Sequence, residues 1–174
     1  MNSLKYTDEE DKSFGLAGMS IAAMVWDEIE AIESVSLDSE DCSSVDFASD
    51  YVYAAPAGVS VKSVWEQSFL HYRLCARLLM ANVACREIVH RNEPVSDYAV
   101  RQMRRILAET GMEHCSLEQD ETDMVFEKNY DSVIRIFNHS AVRQIARDFA
   151  SELKEARRMS ASEIAERLQR LRML

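Results

Sequence analysis

Glu87-Ile-Val-His90 is the spacing in this chain with the most direct chemical potential. Three residues apart on a helix, a carboxylate and an imidazole share a face and can reach one metal ion. Helical projection puts both on the stripe that holds Trp65, Phe69, Tyr72, Leu79 and Val83. If that stripe is buried to its end, the two groups point inward, where charge needs a partner or a metal. Glu28, Glu30 and Glu33 are the acids that could add ligands. The competing reading makes Arg86, Glu87, His90 and Arg91 an exposed helix end, with His90 favoured near the negative pole of the dipole.

The pattern resembles part of the motif of ferritin-like di-iron carboxylate bundles, which use two E-x-x-H elements and two further Glu. That resemblance covers four residues, and no second E-x-x-H occurs in the sequence. His71 and Cys75, four apart on one face, have the spacing to hold zinc or to pair a nucleophile with a base. The plainer reading is a core histidine bonded to a neighbour. His114-Cys115 lies in a turn, and His139 in another. There is no G-x-S-x-G, no G-x-x-x-x-G-K-[ST] and no G-x-G-x-x-G, so neither a nucleophile elbow nor a phosphate-cradling loop is present, and no cofactor is implied beyond a divalent metal at Glu87 and His90. Asp120-Glu-Thr-Asp123 lacks the glycine and the later glutamate of a calcium loop. Arg101, Arg104 and Arg105 form a basic side on their helix, suited to a phosphate or an acidic partner. The same arginines could equally be a solvated face paired with Glu93, Asp97 and Glu109.

The elements that must position these groups read as helices. Four glycines and two prolines in 174 residues leave few sites for tight turns, and apolar residues recur every three or four positions. The first helix is expected from about Phe14 to Val35, after a polar lead-in over residues 1–12 that is free to fray. Ser36–Ser44 reads as a loop. Val45–Ala55, with Phe47, Tyr51 and Ala54, reads as a short helix stopped by Pro56-Ala-Gly58. The longest helix is expected over residues 63–91, about 42 Å of rod. Ser63-Val-Trp-Glu66 is a capping box for it, Ser60 is an alternative cap, and Pro94 is the stop. Val61, Trp65, Phe69, Tyr72, Ala76, Leu79 and Val83 form one apolar stripe, and Leu70, Leu74, Leu78 and Ile88 face the other way, so this helix should be the centre of the fold.

Ser96 caps a helix over about Asp97–Thr110, with Gly111 as its stop. Ser116-Leu-Glu-Gln119 caps another that runs to Phe137, and Asn138-His-Ser140 breaks the chain. Val142, Ile145, Ala146, Phe149 and Leu153 mark the next helix. Ser160-Ala-Ser-Glu163 caps the last, with Ile164, Leu168, Leu171 and Leu174 on its apolar face. This last segment looks like the first helix of a helix-turn-helix unit, but the sequence leaves no room for a recognition helix. The fold class that follows is all-α: a single-domain bundle of five to seven helices spanning residues 13–174.

Charge is distributed unevenly. Residues 1–50 carry 13 acids against 2 bases, within a chain of net charge −10. Residues 140–174 carry 8 bases against 5 acids. Acidity disfavours nucleic acid. No apolar run is long enough for a bilayer. The acidic start is wrong for a secretory signal, and Cys42, Cys75, Cys85 and Cys115 show no C-x-x-C pairing, so free thiols and a cytoplasmic location are expected. The leading functional reading is a protein-interaction or self-association module rather than an enzyme, with Arg101, Arg104, Arg105, Leu168 and Leu171 meeting a protein partner or a second copy. The alternative is a metal-binding or metal-dependent bundle enzyme centred on Glu87 and His90.

Overall fold

The computed structural model describes residues 4–39, 44–48 and 60–173. Tyr51 and Ala54 of the expected short helix, its Pro56-Ala57-Gly58 stop, Cys42 and Leu174 lie outside the described residues, as does the side chain of Val61. The chain is the helical bundle expected, with six α-helices and one small three-stranded sheet among the described residues. None of the described helices is long and apolar enough to cross a membrane.

Helix α1 (Glu9–Val25) is capped by Asp8, whose side chain accepts from the Asp11 backbone N–H at 2.8 Å. Glu9, Glu10 and Asp11 fill its first turn, where the helix dipole favours acids. It starts five residues before the expected Phe14, so part of the presumed lead-in is helix, and Asp11 and Lys12 are buried. It also stops ten residues before the expected Val35. Asp27 takes a φ of 56°, a left-handed conformation that Asp tolerates better than most residues, and the chain turns away. A 3₁₀ turn (Ile29–Ala31) leads into strand β1 (Ile32–Ser36). Ile29 and Ile32 fit a helical period, but Ile32 in, Glu33 out and Ser34 in fit a pleat equally well.

Strand β2 (Val45–Phe47) stands where the short helix was expected to begin. It lies antiparallel to β1, with Ile32 opposite Phe47 and Val35 opposite Val45. Strand β3 (Arg158–Ser160) pairs antiparallel on the other edge of β1.

Helix α2 (Val61–Ala84) is capped by Ser60, which accepts from the Ser63 N–H at 3.2 Å, and it continues without a break as a π-helix (Cys85–His90). The long rod is therefore present, capped one turn earlier than its capping box suggests and widened at its end. Every residue from Met80 to Val89 is buried. The upstream half is not enclosed: Trp65 and Leu70 are exposed, and of the expected apolar stripe Tyr72, Ala76 and Val83 are buried while Phe69 and Leu79 are half-buried.

α1 crosses α2 at Gly18. A Cβ there would lie 2.3 Å from the Ala81 carbonyl oxygen, so only glycine permits this approach of two backbones. Helix α3 (Asp97–Cys115), capped by Ser96, runs straight through Gly111. That glycine is not the stop; its missing side chain makes room for Thr122 and Tyr72. Ser116 ends the helix instead, at φ 54°. Helix α4 (Gln119–Asn138) opens with a capping box made by Glu118 and Glu121, two residues later than the Ser116 pattern. The break falls at His139, between α4 and α5 (Ser140–Ala156). Helix α6 (Ala161–Arg167) has the Ser160–Glu163 box, and a 3₁₀ turn (Gln169–Met173) follows it.

The charge asymmetry of the sequence is met within one chain. Glu9 and Asp38 pair with Arg157, Glu10 with Lys154, Asp46 with Arg158 and Asp27 with Arg172. Arg167 and Arg170 pair with Glu152 and Asp148 of α5. The basic C-terminal region thus covers the acidic first third of its own chain.

Gly18→Ala should lower the stability of the fold by about 1–3 kcal/mol, the usual cost of forcing a methyl group into a closed backbone contact. Urea unfolding followed by far-UV circular dichroism measures it; an unchanged midpoint would show that the two helices can separate freely.

Candidate functional site

Glu87 is buried and His90 half-buried, and each is already engaged. The Glu87 carboxylate accepts from Arg91 Nη1 at 2.6 Å, and the His90 ring stacks on Phe14 at 4.6 Å. The wider π-turn places Glu87 against the residue four positions on rather than against His90. Arg91 Nη2 reaches Asp11 at 2.9 Å, and Asp11 also accepts from Arg86 Nη2 at 2.6 Å and from the Thr7 N–H at 3.0 Å. Arg86 is 1% exposed and Asp11 0%. Arg86 also donates to the Lys5 carbonyl at 2.8 Å, with the Tyr6 ring 5.0 Å from its guanidinium. Burial pushes the Asp11 pKa up, but the hydrogen bonds from Arg86 and Thr7 and the charges of Arg86 and Arg91 more than reverse this, leaving it below the ordinary 3.8.

The other acids considered as ligands lie apart. Glu28 pairs with Arg77 at 2.7 Å, while Glu30 and Glu33 face solvent. Among the described residues, no group of three or more His, Cys, Asp or Glu side chains is placed to hold a metal ion. His71 and Cys75 do meet, with Sγ 3.3 Å from Nε2. Burial pushes the thiol pKa up to about 11, and burial together with His114 pushes the imidazole pKa down. Both groups are driven to their neutral forms, the reverse of a thiolate–imidazolium pair. Cys115 is buried, whereas His114 and His139 are exposed.

The expected partner-binding residues divide. Arg104 holds α3 to α4 through Asp123 and Glu127, with its guanidinium 4.1 Å from the Phe126 ring centroid. Arg105 faces solvent beside Glu109, and Arg101 is exposed. Leu168 is fully buried and Leu171 half-buried, so the terminal amphipathic segment docks on its own bundle.

An apolar cleft of about 320 Å³ opens where α2 leaves the enclosed part of the fold and passes α4. Trp65 is 44% exposed and Met124 72%. The indole stacks on Phe69 at 5.2 Å with the planes 7° apart, and its Nε1 donates to the Cys115 carbonyl at 2.8 Å. The rings are therefore fixed on the rim. Leu117 and Val125 also line the cleft. Arg73 and Lys128 stand beside it with no carboxylate within 4.0 Å among the described residues. Its one acid, Glu121, accepts from the Glu118 N–H at 2.8 Å and keeps its charge, so the lining carries two cations against one carboxylate. The result is a rigid aromatic wall, a flexible methionine and a cationic edge.

Sequence reasoning assigned Trp65 and Phe69 to the core and passed over Lys128. The available signal was an α2 too apolar on two sides for the neighbours that the remaining sequence could supply. Comparison with protein-family models, with curated proteins and with solved structures finds no match for this chain.

Removing one half of the buried ion network should be costly. Asp11→Asn leaves Arg86 charged and buried, at roughly 3–5 kcal/mol, and Asp11→Leu combined with Arg86→Met should recover much of that loss. Because Asp11 binds its proton less tightly folded than unfolded, its stabilisation is complete above pH 3.8 and is lost as pH falls through the lower folded value. Chemical unfolding across pH 2–6 should show a steeper acid loss for the wild type than for the double variant. Parallel curves would remove Asp11 from the balance.

Proposed function

We propose that this protein is an interaction module whose docking site is the α2–α4 cleft. Its occupant is a segment of another protein that presents a bulky apolar side chain next to a carboxylate. The carrying observation is the stack of exposed Trp65 on Phe69, with Met124, in a cleft whose lining sets the two cations Arg73 and Lys128 against the single carboxylate of Glu121. Trp and Arg concentrate binding energy in interfaces. Methionine adapts its shape to different partners. The apolar side chain would enter between Trp65 and Met124, and the carboxylate would meet Arg73 or Lys128 as a charge-assisted contact.

A panel of twelve-residue peptides, with leucine or phenylalanine flanked by Asp or Glu, Lys or Ser, tests this on the full chain by fluorescence anisotropy. The acidic set should bind best. Trp65→Ala should weaken it by about 2 kcal/mol, roughly thirtyfold. Since Trp65 also bonds the Cys115 carbonyl, Lys128→Glu serves as a second variant that leaves the packing intact and should weaken the acidic set selectively. Equal binding of basic and acidic peptides, or a dimer in sedimentation that Lys128→Glu dissolves, would replace this reading with non-selective or self-association.

A further inference from the structure

A second and larger cleft, of about 690 Å³, lies at the far end of the rod. It is bounded by the π-helix, the turn after it and the corner between α4 and α5, and its volume is in the range of sites for small molecules, about 300–1,000 Å³. Ile88 of the π-helix, Pro94, Val95 and Ile134 supply apolar walls. Two guanidinium groups and two carboxylates share the lining: Arg135 and Arg143, Glu93 and Asp131.

These four charges do not cancel one another. Elsewhere in the fold, arginines and acids that approach pair off, as at Arg77, Arg86, Arg104, Arg157 and Arg167. Here no described ion pair joins any of the four. Arg143 is held in place: its Nε donates to the Phe137 carbonyl at 2.9 Å and its Nη2 to Asn138 Oδ1 at 2.8 Å. Two of its five N–H groups are used, and three remain. Arg135 bonds the Asp131 carbonyl at 3.3 Å and Ser132 Oγ at 3.5 Å, both neutral acceptors. The cleft therefore holds separated positive and negative groups around an apolar lining, with an oriented guanidinium fork. The backbone next to it is unusual twice over: a six-residue π-helix, a form that recurs at functional sites, and Asn92 at φ 56° on the rim.

We infer that this cleft binds a small zwitterion with an apolar body, of the class of the apolar α-amino acids. The ligand carboxylate meets the free donors of Arg143 and Arg135, its ammonium meets Glu93, and its side chain covers Ile88, Val95 and Ile134. A dianion such as a phosphate ester fits less well, because the two acids of the lining would oppose it. This site is independent of the α2–α4 cleft.

The test is a titration of the intact ¹⁵N-labelled protein with L-leucine, followed by amide chemical shifts. Isopentylamine and 4-methylpentanoate, which each keep one of the two charges, serve as comparison probes. L-leucine should give saturable shifts confined to residues 88–95 and 130–143, with affinity roughly tenfold above either probe, the factor that corresponds to about 1.4 kcal/mol. Arg143→Lys should weaken binding at least about fivefold. Because Arg143 also braces the end of α4, the exposed Arg135→Gln and Glu93→Gln are measured beside it and should each weaken binding while leaving the spectrum otherwise intact. Absence of saturable shifts, shifts centred elsewhere, equal affinity for a single-charge probe, or unaltered binding by Arg135→Gln and Glu93→Gln would each overturn the assignment.

Discussion

A guanidinium group that is 1% exposed constrains this fold more than any single apolar contact. Arg86 cannot be buried alone, and each half of a buried pair is expensive without the other. The chain answers with Asp11, seventy-five residues away, held at 2.6 Å. For that bond to form, α1 must begin before Asp11, and its first turn must lie against the end of α2. Residues 4–6 must also close over the guanidinium, where the Lys5 carbonyl and the Tyr6 ring meet it. Arg91 binds the second Asp11 oxygen and the Glu87 carboxylate, so the network extends into the turn after the rod. A crossing of α1 and α2 one turn out of register would strand two charges. Gly18 then sets how close the two helices come, with room for no side chain above the Ala81 carbonyl.

The central rod has two characters, and the division explains where the clefts lie. From Met80 to Val89 every residue is buried, packed by α1, the other helices and the N-terminal residues. From Ser63 to Leu70 it packs against α3 and α4 among the described residues, and Trp65, Phe69 and Leu70 meet water to different degrees. An apolar stripe that outruns its neighbours leaves an interaction surface by construction. At the enclosed end the π-turn has a different consequence. It carries Arg86 and Glu87 into the ionic network while leaving Ile88 on the wall of the larger cleft.

The helices were legible where a cap and a 3.6-residue period agreed, as at Ser96 and Ser160. The misreadings have physical causes that a single sequence hides. Ile29, Ile32 and Val35 suit a helix or a pleat, and only pairing with Val45–Phe47 on one edge and Arg158–Ser160 on the other decides for the strand. Gly111 looks like a stop because glycine usually marks one, yet here it makes space for Thr122. Glu87 and His90 were placed inward by projection, but their companions were not legible: Asp11 sits in a polar stretch that reads as a solvated tail, and nothing local announces a contact across seventy-five residues. Trp65 read as core for the opposite reason, since periodicity reports what a helix can bury and not whether a neighbour arrives to bury it.

The cancellation of charge within the chain decides which charges are available to anything outside it. In the acidic first third, Glu9, Glu10, Asp27, Asp38 and Asp46 are already matched by Arg157, Lys154, Arg172 and Arg158. Surface pairs of this kind contribute little stability individually. Their larger effect is to leave the uncancelled groups as the features a ligand would sense. Those groups include Arg73 and Lys128 at one cleft and Arg135, Arg143, Glu93 and Asp131 at the other. The whole molecule still carries −10, which slows the approach of an acidic segment at long range. Within a Debye length of about 8 Å at physiological salt, the nearby cations outweigh that distant field. An acidic segment should therefore reach the α2–α4 cleft faster as salt screens the net charge, and leave it faster as salt weakens the contact with Arg73 and Lys128. These opposed dependences of association and dissociation separate a local cationic rim from a general electrostatic attraction, under which added salt would slow association.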